Sequence, residues 1–76
     1  MTPQLTIMRI YNCGDRVTQT LDRDAALREI EYSTRFRPGC ALFIEAACVQ
    51  TGYLTPERCA AISEEIKAVK AANTPP

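Results

Sequence analysis

Four cysteines, Cys13, Cys40, Cys48 and Cys59, are the residues of this 76-residue chain with the most chemical reach. A thiolate can attack an electrophile, hold a soft metal or close a disulfide. Each use needs companions. Structural zinc sites gather closely spaced ligand pairs, whereas no two cysteines here stand as C-x-x-C and the chain has no histidine. A thiol or serine nucleophile would need a carboxylate or lysine as its base, and no spacing supplies one. Cys13, beside Gly14 in a turn, is the thiol most open to solvent. The other three are expected to pack as small apolar groups, reduced rather than bridged.

The acid pairs Asp22 with Asp24 and Glu64 with Glu65 stand where they serve helix starts and solvated faces as readily as proton transfer. Three scattered glycines make no phosphate-cradling loop. An enzyme is therefore not expected, nor a metal or cofactor.

Nine basic residues balance nine acidic ones, and the signs alternate along the chain. Phosphate neutralisation normally demands a cationic excess, so nucleic acid is a less favoured partner than protein. The first residues lack the basic start and apolar stretch of a secretory signal, and no apolar run nears the ~20 residues of a spanning helix. A cytoplasmic protein is the expectation.

What remains is binding. The segment "YSTRFRPG" sets Tyr32, Arg35, Phe36 and Arg37 together at a helix end, and aromatic rings with arginine are the composition of binding hot spots. Tyr53, in the turn "TGYLTP", adds an apolar ring with a polar tip. These five are the candidate contact residues for a larger protein or complex. The competing reading is that Phe36 anchors the helix end in the core and the arginines are merely solvated.

The elements that must position them read as an α+β fold in one domain over residues 1–72, with a disordered tail at 73–76. "LTIMRIYNC", a "GD" turn and "RVTQTL" give an N-terminal β-hairpin, with Val17, Gln19 and Leu21 on one face of the second arm and Arg16, Thr18 and Thr20 on the other. The first arm is apolar on both faces. One face is expected to meet helices and the other a partner, which leaves room for a homo-oligomer.

About three α-helices should follow. Asp22 caps the first, from about Arg23 to Arg35, with Leu27, Ile30 and Thr34 as its inward stripe and "RPG" as its stop. "CALFIEAACVQTG" is ambiguous, its length and its Ala, Leu and Glu content favouring helix over strand. The last helix starts with Thr55 as cap, Pro56 and Glu57, turns Cys59, Ile62, Ile66 and Val69 inward, and ends near Ala71.

The last two helices would form an αα-hairpin with the outline of a DNA-reading helix-turn-helix, and a small transcriptional regulator is the alternative reading. The match is poor at Arg58, where a buried aliphatic is wanted, and Glu57, Glu64 and Glu65 suit a polyanion badly. Sequestration of a small anionic ligand by clustered arginines is a third, unspecific option. In size and composition alone the chain resembles the small regulators and inhibitors of phages and mobile elements. That resemblance implies a non-enzymatic accessory protein that modulates a larger complex.

Overall fold

The computed structural model describes residues 4–72 and is an α+β domain in which one four-stranded antiparallel sheet carries a helix on each face. The chain runs β1 (Gln4–Ile10), β2 (Arg16–Asp22), α1 (Arg23–Phe36), β3 (Ala41–Ile44), β4 (Ala47–Gln50) and α2 (Pro56–Ala72), and the strands lie in the order β2-β1-β3-β4. Residues 73–76, expected as a disordered tail, lie outside the described residues, as do residues 1–3 of the expected domain.

β1 and β3 are the central strands, and their alternation explains both helices. Leu5 and Ile7 of β1 join Leu42 and Ile44 of β3 against Ala26 and Ile30 of α1. Met8 and Ile10 join Ala41 and Phe43 against Cys59, Ile62 and Ile66 of α2. The two-sided apolar character of the first arm is thus met within the chain: a strand buried on both faces must be apolar on both. No partner is needed to cover it, which corrects the expectation of one free face. Phe43 and Leu42 are fully buried, each worth about 1.5–3 kcal/mol by the area removed from water.

Among the described residues there are two helices where about three were expected. Residues 41–50 form a β-hairpin, so the αα-hairpin and the helix-turn-helix outline built on it are absent. The physical reason is pairing. β1 already exposes one backbone edge beyond β2, and β3 fills it through the register Ile7↔Ile44 to Ile10↔Ala41. A helix there would leave those β1 groups unpaired in the core, at a cost that outweighs local propensity.

Asp22 caps α1, accepting from the Ala25 amide at 2.8 Å. The inward stripe is Ala26 and Ser33 with half-buried Ile30, and not Leu27 and Thr34, which are exposed. Ala and Ser at those positions let the helix sit close to the sheet, a role that hydrophobicity alone does not reveal. Thr55 caps α2 as expected, accepting from the Arg58 amide at 3.2 Å. Cys59, Ile62 and Ile66 turn inward, but Val69 is exposed, because the second half of α2 rises away from the strands.

Gly52 closes the last loop. Its φ is +57°, and a Cβ there would lie 2.5 Å from the carbonyl carbon and oxygen of Cys40, so only glycine lets the β4–α2 loop rest on the start of β3.

Candidate interaction site

The sheet has one end where β1 finishes, β3 begins and β4 finishes, and at that end α1 stops and α2 starts. All five residues singled out in the sequence belong to elements that meet there. Gln50 ties the loops together, its side-chain amide donating to the carbonyl oxygens of Arg37 at 2.7 Å and Cys40 at 2.6 Å. Tyr53 is fixed to the first hairpin, its hydroxyl donating to the carbonyl oxygen of Tyr11 while about half of the residue stays exposed.

Tyr32 and Phe36 stand one turn apart on α1 and stack, ring centroids 5.4 Å apart and tilted by 43°. Phe36 is 62% exposed. The reading in which it anchors the helix end in the core does not hold, because the small Ser33 and not Phe36 points at the sheet from the last turn. Arg35 lies exposed in that turn, and Arg37 is the C-cap, its amide donating to the Ser33 carbonyl at 2.9 Å. The structure therefore joins Tyr32 to Phe36 as a pair and sets Arg35, Arg37 and Tyr53 at the same end without bonding them to the pair.

Sequence reasoning missed Arg9. This residue stands in the apolar run "TIMRIY", 8% exposed on the α1 face, where it makes a charged hydrogen bond to Glu29. Its guanidinium carbon also lies 5.8 Å from the centre of the Tyr32 ring, within cation–π reach. Burial works against the charge, but hydrogen bonding and attraction from Glu29 and Tyr11 outweigh it and hold the pKa above the ordinary arginine value. Arg9 stays charged and props Tyr32 from beneath. An arginine inside a strand buried on both faces was the available signal, since such a charge needs a partner from another element.

Three of the four cysteines, Cys40, Cys48 and Cys59, sit as packing groups. Cys13 is exposed, Cys40 and Cys59 are buried and Cys48 is intermediate; all four are free thiols. The Cys48 and Cys59 sulfurs are 3.6 Å apart. Burial, then the hydrogen bond with Cys59, push the Cys48 thiol up from its usual value, so it is a protonated, weak nucleophile near neutral pH. Among the described residues, no cluster of three or more metal-ligating side chains occurs.

A cleft of about 350 Å³ opens between the second half of α2 and the first two strands, lined by Met8, Thr18, Ile66 and Val69 among others. Charges at its rim are paired, Glu65 with Arg16 at 3.0 Å and Glu45 with Lys70 at 3.2 Å.

No helix among the described residues is long and apolar enough to cross a membrane. Comparison of the chain with protein-family models, with curated proteins and with solved structures gave no match.

Proposed function

We propose that the chain is a small non-enzymatic regulator or inhibitor that binds a larger protein or protein complex, in the manner of phage or mobile-element accessory proteins, from a cytoplasmic setting. The contact end is that of Tyr32, Arg35, Phe36, Arg37 and Tyr53. One observation carries the reading: an aromatic pair, Tyr32 on Phe36, stands partly exposed at a helix end while Ser33 of the same turn is the residue buried against the sheet. Rings held rigidly outside the core lose little entropy on docking, and arginines beside them supply polar specificity.

The test is capture from native lysate with tagged wild-type chain, after nuclease and at two salt concentrations, against Phe36→Ser and the charge reversal Arg35→Glu/Arg37→Glu. A stoichiometric protein partner kept by the wild type and lost by both variants, whose circular dichroism stays native, is the expected result. Equal capture by all three chains would remove this end as the site. Recovery of nucleic acid alone, released by salt, would replace the reading with nucleic-acid binding.

A further inference from the structure

β2 is an edge strand seven residues long, with charges only at its two ends. Its interior, Val17 to Leu21, holds no charge, proline or glycine, and its pairing with β1 runs without a bulge from Gln4↔Asp22 to Ile10↔Arg16. Arg16 through Thr20 are exposed. Natural sheets usually protect such an edge with charges, proline, a bulge or a short strand, because its unpaired amides and carbonyls template another strand. The opposite edge shows that protection: β4 has four residues, and its register with β3 is broken between Leu42 and Phe43.

Which backbone groups of β2 look outward follows from the hairpin. The Tyr11 amide donates to the Asp15 carbonyl at 2.9 Å, which continues the β1–β2 register and makes that pair a hydrogen-bonded one. Bonded and non-bonded pairs alternate in an antiparallel ladder, so Val17, Gln19 and Leu21 bond to β1. Arg16, Thr18 and Thr20 therefore turn their amides and carbonyls to solvent.

The sequence of this edge is complementary to itself. When two copies of "RVTQTLD" are laid antiparallel about Gln19, Arg16 stands opposite Asp22, Val17 opposite Leu21 and Thr18 opposite Thr20. Every pair is of a favourable cross-strand kind: opposite charges, two apolar side chains, two hydroxyls. The register also places the outward-bonding residues opposite one another, Thr18 against Thr20 and Arg16 against Asp22. Arg16 already meets Glu65, but at the surface, where such a pair holds weakly. Asp22 caps α1 with one oxygen, and a carboxylate has acceptor sites to spare.

We propose that β2 is a homodimer surface, on which a second copy adds its own β2 antiparallel across a two-fold axis at Gln19 to make one continuous eight-stranded sheet. The inference does not rest on the proposed function; it concerns a different surface and a different occupant.

Sedimentation equilibrium of the full chain tests it, with variants chosen to spare the monomer. Wild type is expected to pass from monomer to dimer with concentration. Gln19→Lys sets two like charges face to face on the axis and is expected to weaken dimerisation at least tenfold at low salt, with partial recovery at high salt. Thr20→Pro removes an outward amide without touching the β1 ladder and is expected to leave only monomer. In a Cys13→Ser background, Gln19→Cys is expected to cross-link with oxidised glutathione, the oxidant that supplies the disulfide, while Thr18→Cys does not. A chain that stays monomeric at every concentration overturns the proposal and leaves the edge to a foreign strand. A dimer indifferent to Gln19→Lys overturns the surface, whether or not Thr20→Pro folds.

Discussion

The two hairpins of this molecule form for opposite reasons. In the first, β1 and β2 are joined by a turn whose Gly14 takes a φ of +95°, and β2 faces solvent along most of its length. In the second, β3 and β4 are joined by Glu45 and Ala46, with Glu45 at a φ of +54°, and every residue of β3 but the last is buried. The first is written in local turn chemistry; the second is imposed by the core around it. A hairpin of the second kind forms because its residues have nowhere better to bury their apolar groups and pair their backbone, and its turn tolerates strain as a result.

If that contrast holds, the largest loss of stability comes from the middle of the second hairpin. Phe43→Ala is expected to cost about 4 kcal/mol in urea unfolding, as a fully buried aromatic does. Val17→Ala in the first hairpin should cost under about 0.5 kcal/mol, since Val17 is 40% exposed. Similar costs at the two sites would break the comparison.

The next effect is at the loop that locks the second hairpin to its surroundings. Gly52→Ala must move backbone that a Cβ would meet at 2.5 Å and also holds a positive φ, so about 3 kcal/mol is expected. Gly39→Ala is the control. A Cβ there meets nothing within 4 Å, and the change should stay within about 0.5 kcal/mol.

The first hairpin is also tied to α1 by a charge pair, that of Arg9 with Glu29. Glu29→Ala would strand a charge whose side chain is 9% exposed, at a cost of about 2–3 kcal/mol. Arg9→Met with Glu29→Leu should recover most of that loss, because removing both charges leaves nothing unpaired. Should the double variant be no more stable than Glu29→Ala, the pair contributes shape rather than charge balance.

How much could be read in advance follows the same division. The first hairpin, the Asp22 and Thr55 caps and the faces of β2 were legible, because each is fixed by residues adjacent in sequence. The second hairpin was not: "CALFIEAACVQTG" carries helix-forming Ala and Glu at the very point where the chain reverses, and the pull toward strand comes from β1, more than thirty residues earlier. The inward stripe of α1 was legible at Ile30 but one position off at Leu27 and Thr34, since Ala26 and Ser33 are chosen for size and Leu27 is left outside. At the candidate site the grouping of Tyr32, Arg35, Phe36 and Arg37 was visible because they are neighbours in the chain. Arg9 was not, because its partners lie on another element.

The smallest effect separates the two turns and has opposite signs in them. Gly14 occupies its left-handed conformation in open space, so Gly14→Ala meets no clash and should lose only the conformational preference, about 1 kcal/mol. Glu45 occupies the same region with a side chain ill suited to it, and Glu45→Asn should gain about 0.5 kcal/mol, because asparagine tolerates that conformation. Against this gain stands the loss of the Lys70 contact at 3.2 Å, an exposed pair worth a few tenths. Asparagine is thus expected to raise the unfolding midpoint slightly. If it lowers stability by more than about 0.5 kcal/mol, then Glu45 is held in its conformation by the contact with α2 and is not merely tolerated by the core.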